Sequence, residues 1–220
     1  NRAGFGIVDD EVVKKAAKQE VIRRYFRYGC EYLIGSADKE TVERIGMLME
    51  ELDVTPEDRL VVNAAKKAAK EAEENKKGND GVFCGAALEL RDGSIVTGKN
   101  SPLMHSASSL VLNAIKHLAE IPDKIHLLSP GVIESVGNLK KDVLKSKAVN
   151  LDLEETLIAL SIGAATNPTA QMAMEKLKEL QGCEVHITHM PPPGDETGLR
   201  RLGVNLTSEP VFSSKNLFVT

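Results

Sequence analysis

The stretch GAALELRDGSIVTGKN (residues 85–100), continued by SPLMHSASSLVLNAIKHLAEIPDKIHLLSPGVIESV (101–136), decides how this chain is read. Val82, Cys84, Ala86, Leu88 and Leu90 alternate with Phe83, Gly85, Ala87 and Glu89, the period-two pattern of a strand. Apolar residues stand on both faces near Phe83, which predicts a sheet covered by helices on both sides. Arg91-Asp92-Gly93-Ser94 supplies an Asp-Gly turn that tolerates positive φ, and residues 95–98 form the return strand. Lys99-Asn100-Ser101-Pro102 then breaks the strand. Ser106 or Ser108 can cap the helix that follows, whose stripe is Leu110, Val111, Ala114, Ile115 and Leu118. Pro122 and Asp123 end it, 124–128 reads as a short buried strand, and Ser129-Pro130 opens a second helix. Two helix N-termini then point toward strand ends, where free N–H groups and the positive dipole end suit anions and polar ligands.

Working outward, the chain reads as three parts. Residues 1–10 are a Gly-containing apolar lead-in, and 11–76 are helical. Val13, Ala17, Val21, Tyr25, Tyr28 and Tyr32 form one stripe; Val42, Ile45, Met49 and Leu52 form another. Thr55-Pro56-Glu57-Asp58 caps a third helix, Ala-rich from Ala64 to Ala72. A polar linker at 75–81 places a domain boundary there, so 77–220 is expected to be an α/β domain. In its second half Asp152 caps one helix, Asn167-Pro168 starts another and Gly182 stops it. Residues 183–189 form a strand with Val185 and Ile187 on one face and His186 and Thr188 on the other. Pro191-Pro192-Pro193-Gly194 is a stiff loop, Asp195 can cap a short helix, and 204–206 reads as a last strand.

Gly85-Ala86-Ala87-Leu88 through Asp92-Gly93, with Thr97-Gly98-Lys99-Asn100, resembles the hairpin of cytidine deaminases. Ser129-Pro130-Gly131-Val132-Ile133-Glu134 is similar to their second motif, Pro-Cys-x-x-Cys. The resemblance implies a three-layer α/β domain with a mixed sheet of cytidine-deaminase-like topology. It does not carry the zinc chemistry of that fold. The two Cys positions are Gly131 and Glu134, and a first motif starting at His105 has Ala107 in place of the Glu. A second resemblance spans nearly the whole chain. Gly6-Ile7-Val8-Asp9-Asp10, Lys18-Gln19-Glu20-Val21-Ile22-Arg23-Arg24-Tyr25, Ile95 through Ser101 and Arg200 through Thr207 look like the C-terminal half of an uncharacterised bacterial family of longer proteins. That likeness implies a missing N-terminal half with a nucleotide-binding character and a Gly-Ser-Gly-Lys loop. It also implies that this chain, which starts at Asn1, is a piece whose pocket completes a shared active site.

Composition narrows the classes. The chain has 220 residues, is 42% hydrophobic and carries a net charge of −4. Without a basic block, nucleic acid is not an expected partner. With aromatics at 4% and no Trp, there is no base-stacking platform. Three unpaired-looking Cys, at 30, 84 and 183, suit a reduced, cytoplasmic setting. No membrane-spanning run is present. No Gly-x-Ser-x-Gly elbow, His-Glu-x-x-His or Walker loop occurs.

The candidate functional residues cluster near the hairpin. By the deaminase resemblance Asn100 contacts a ribose; on its own terms it is a turn-forming Asn. Lys99 can offset a phosphate, while Ser101, Ser108 and Ser109 can donate to a ligand or cap. His105 is the candidate acid or base, since its ordinary pKa lies near neutrality. Glu134 can accept from a ligand hydroxyl or stabilise its helix start. His189, just past a strand end, can reach a pocket; His186 and His189 stand on opposite strand faces, so no metal set is assigned. Cofactors are not legible. The expected ligand is a nucleotide or related small molecule. The alternative is a structural domain that drives homo-oligomerisation through the Ala-rich helix and a Met/Leu stripe at 172–180.

Overall fold

The computed structural model describes residues 10–213, and packing divides the chain into Asn1–Leu60 and Val61–Thr220. Apart from residue 10, the expected lead-in at 1–10 lies outside the described residues.

The first unit is built on α1 (Asp10–Leu33) and α2 (Lys39–Glu51). Asp38 caps α2, accepting the Thr41 N–H at 2.8 Å. The buried faces are Val21, Ile22 and Phe26 on α1, with Ile45 and Met49 on α2. The stripe expected on α1 is right at Val21 and wrong at its ends. Val13 and Tyr32 are exposed, and the buried positions of this long helix lie in its middle. Thr55 and Asp58 form the expected capping box, but around a single 3₁₀ turn at Pro56–Asp58; α3 (Leu60–Glu74) starts after it.

The second unit is mixed α/β. Its open sheet runs in the order β2 (Ile95–Lys99), β1 (Gly85–Glu89), β3 (Glu184–Ile187), β4 (Asn205–Ser208). β1 is antiparallel to both neighbours, with Gly85 opposite Lys99 and Ala87 opposite His186; β3 and β4 are parallel. The Asp-Gly turn forms as expected. Gly93 has φ +84°, and Asp92 accepts from the Ser94 N–H at 2.9 Å and its hydroxyl at 2.7 Å.

Both faces of β1 are covered. Ala86 and Leu88 enter the main core with Leu110, Ile115, Leu160 and Leu199, whereas Ala87 packs with Val61 and Ala65 of α3. Two glycines set these layers. A side chain at Gly85 would run into the backbone at Ala65 and Ala69 of α3, and one at Gly98 into the backbone at Ser106 and Leu110 of α4 (Ser106–Leu118). Helix and strand backbones touch at these points only because Cβ is missing. The sequence places a boundary after α3; the packing puts α3 with the sheet, because its Ala face lies on β1.

Segment 124–128 is a loop, not the expected strand. Leu127 and Leu128 are buried, but the place beside β1 belongs to β3, some hundred residues further on. Three helices intervene: α5 (Pro130–Asn138) with a wider turn through Val143, α6 (Leu153–Ala164), and α7 (Pro168–Glu175) with a 3₁₀ turn to Leu180. Their starts follow their caps. Ser129, Asp152 and Asn167 each accept a backbone N–H of the first turn. α8 (Pro193–Arg201) follows β3.

Candidate functional site

β1 begins, β2 ends and β3 ends at one side of the sheet, and the N-termini of α4 and α8 arrive there. Between them lies a cavity of about 570 Å³ lined by Asn79, Asp80, Cys84, Asn100, His105, Ser106, Lys147, Asn150, His189, the Pro191-Pro192 loop and Asp195.

His105 is the residue before α4, and its backbone is fixed from the side: its N–H donates to the Leu151 carbonyl at 2.9 Å. Its Nδ1 lies 2.8 Å from Asp195 Oδ2. The other oxygen of Asp195 accepts the Leu153 N–H at the start of α6, also at 2.8 Å. Asp195 is 3% exposed. A carboxylate buried this deeply is stable only with such partners. Burial of the imidazole disfavours its cation, but the hydrogen bond and charge of Asp195, aided by Asp152, outweigh it and raise the pKa above 6.5. Nε2 of His105 has no hydrogen-bond partner among the described residues. An imidazole oriented through one nitrogen by a carboxylate, with the other nitrogen open, is a proton-transfer arrangement.

Beside it sits the Cys84 thiol, 8% exposed. Sγ is 3.1 Å from the Ser106 hydroxyl and 3.6 Å from that of Thr188. Thr188 Oγ1 also accepts the Gly85 N–H at 3.0 Å and lies 3.2 Å from His189 Nδ1. Burial pushes the thiol up, while both hydroxyls and the His189 backbone pull it down. His189 is held below its ordinary value by burial.

The candidate residues divide accordingly. His105, Asn100 and His189 share this cavity. Asn100 is 7% exposed and structurally engaged: its Oδ1 accepts the Cys84 N–H at 2.8 Å and its Nδ2 donates to the Val82 carbonyl at 2.9 Å. Ser108 is fully buried and donates to the Leu151 carbonyl; Ser101 accepts from the Leu103 and Met104 N–H groups in its own loop. Lys99 is paired with Glu71 at 2.7 Å and, with Ser109, lines a neighbouring cavity. Glu134 is exposed and lines a third hollow with His126 and Pro130, so it is not brought to His105. Lys140 is buried and donates to the Asn150 carbonyl and Glu155.

Asp195 is the residue that sequence reasoning misplaced. It was expected as a helix cap, yet the cap position is Pro192, and the carboxylate turns to His105 and α6 instead. The Asp195-Glu196 pair after the Pro-Pro-Pro-Gly run is the local signal. Cys84 and Thr188 gave only the signal of alternation on strands.

This mixed α/β unit with a polar cavity at the sheet end has clear relatives in sequence. Residues 57–218 match the C-terminal domain of the family described as domain of unknown function DUF1846, and residues 1–53 match its N-terminal domain. The chain belongs to that family. It is 50% identical over 218 residues to a UPF0371 protein of Clostridioides difficile strain 630. It is 48% identical over 218 residues to one of Clostridium tetani and 50% over 219 residues to one of Clostridium botulinum strain Alaska E43. Each match covers 99% of this chain and 43% of the relative, so the chain spans less than half the length of these proteins. The match of residues 1–53 assigns the first helices to the N-terminal family domain, part of which is therefore present. No described helix is long and apolar enough to cross a membrane.

Proposed function

We propose that Val61–Thr220 binds a nucleotide or related small polar molecule in the cavity at the sheet end, with His105 as its proton donor or acceptor. The observation that carries this reading is the His105–Asp195 pair: buried carboxylate, oriented ring, open Nε2, all in the wall of one cavity. The chain path supports it. A hairpin, a helix, a strand and a second helix follow one another as in the deaminase-like core, but through β1, β2, α4, β3 and α8, with α5–α7 inserted before the strand. The donor set does not fit the zinc of that fold, since among the described residues no three His, Cys, Asp or Glu converge as ligands. The His105–Asp195 pair suits proton transfer by His105. In the longer relatives the same cavity would complete a site shared with the rest of the N-terminal domain.

Of the features that suggest an oligomerisation role, Ala65 packs on Ala87 of β1 and Met174 and Leu177 pack on the core, while Met172 is exposed. Thermal unfolding against nucleosides, nucleotides and nucleotide sugars tests the proposal. A ligand at about a hundred times its Kd stabilises by roughly 2.7 kcal/mol. The expected result is a shift that His105→Ala reduces; no shift across the panel overturns binding by this chain.

A further inference from the structure

Cys84 is a nucleophile in the cavity wall that the acid–base reading leaves unused, and its surroundings form a connected path. Thr188 Oγ1 already accepts the Gly85 N–H at 3.0 Å. It has one hydrogen to give and one lone pair left. Thr188 Oγ1 donates to Cys84 Sγ at 3.6 Å and lies 3.2 Å from His189 Nδ1, so one hydroxyl bridges the sulfur and the imidazole. His189, neutral because burial disfavours its cation, is then a base reached through one hydroxyl. On the other side of sulfur, the Ser106 hydroxyl at 3.1 Å can donate to a developing thiolate at the first residue of α4. An independent feature points to a ligand. Asn150 lines the same cavity and is 5% exposed, yet its Oδ1 has no donor among the described residues. A buried acceptor in a cavity wall calls for an N–H or O–H from whatever fills the cavity.

We infer that Cys84 is a covalent nucleophile, with Thr188 and His189 as its proton relay and His105 as the acid, for a small molecule bearing an amide or amidine carbon. The inference rests on the same cavity as the proposed function but adds a covalent step. The thiol proton passes to Thr188 as the Thr188 proton passes to His189. Sulfur forms a bond to the planar carbon, whose π pair moves to its oxygen or nitrogen. That pair returns as the carbon–nitrogen bond to the leaving amine breaks, and His105 Nε2 supplies the amine's proton. Water then adds to the thioester or thioimidate, and the carbon–sulfur bond breaks to restore the thiol. An N–H of the substrate is the donor that Asn150 Oδ1 lacks.

The test is the rate at which iodoacetamide alkylates Cys84 from pH 5 to 9, read by peptide mass spectrometry on the intact chain. Cys183, also buried but outside the cavity, reports integrity in the same sample. The expected wild-type profile falls as pH drops through the ionisation of His189. His189→Gln removes that limb and slows Cys84 at neutral pH at least tenfold, with Cys183 unchanged. Thr188→Val does the same, and Thr188→Ser restores the profile. An unreactive wild-type Cys84, or a rate and profile unchanged by His189→Gln, overturns the inference. Alkylation needs no bound ligand, so its outcome is separable from the thermal-shift result.

Discussion

At the residue scale the site rests on two side chains whose roles the surroundings define. Asn100 holds the start of β1 to the end of β2 through two hydrogen bonds, one buried and one half-buried. Replacing it by Ala leaves the Cys84 N–H and the Val82 carbonyl without those partners, an expected loss of about 1–3 kcal/mol in urea unfolding. If Asn100 were only a ligand contact, stability would not change. For His105 the sign follows from its raised pKa. Its charged form is favoured in the folded chain, so its contribution is full below pH 6.5 and is lost as pH rises through the higher folded-state value. Asp195→Asn removes the ion pair. The stability difference between wild type and this variant should therefore shrink from pH 6 to 8, and the His105 imidazole resonance should titrate at lower pH in the variant. A His105 pKa unmoved by the substitution would show that Asp195 does not set it.

At the scale of elements, the close approaches at Gly85 and Gly98 are where helices and sheet meet with least room. Gly98→Ala forces α4 away from β2, and overpacking of this kind costs typically 1–3 kcal/mol. Gly131→Ala, at a position with open space around it, serves as the control and should be close to neutral. Denaturation midpoints of the two variants decide the matter. The same elements show what was legible in sequence and why. The hairpin, its turn and the starts of α5, α6 and α7 follow from local chemistry: alternation, an Asp-Gly pair, and a Ser, Asp or Asn before the first helical turn. Segment 124–128 was misread because a short apolar run fits a strand or a buried loop equally well. What separates them is the neighbour, and the neighbour of β1 is β3, set by pairing across about a hundred residues. The His105–Asp195 pair was illegible for the same reason. Each residue was visible, but their meeting depends on where β3 delivers α8.

At the scale of the whole molecule, packing divides the chain between residues 60 and 61, and the two family domains meet between residues 53 and 57. These independent divisions nearly coincide. The main buried cluster runs from Cys84 to Val204, with the α3 cluster of Val61, Ala65 and Ala87 beside it, all within the second unit. Hydrophobic burial of this extent is the dominant favourable contribution to folding, and the second unit is of ordinary domain size. A chain trimmed to begin at Thr55, keeping the Thr55–Asp58 capping turn ahead of α3, is therefore expected to fold by itself. Its thermal transition should be cooperative by far-ultraviolet circular dichroism and give a single calorimetric peak, and it should show the ligand-dependent shift of the full chain. A broad far-ultraviolet transition with no calorimetric peak would mean that side-chain packing needs the first unit. The cavity would then belong to the longer protein as a whole, and its chemistry would have to be assayed there.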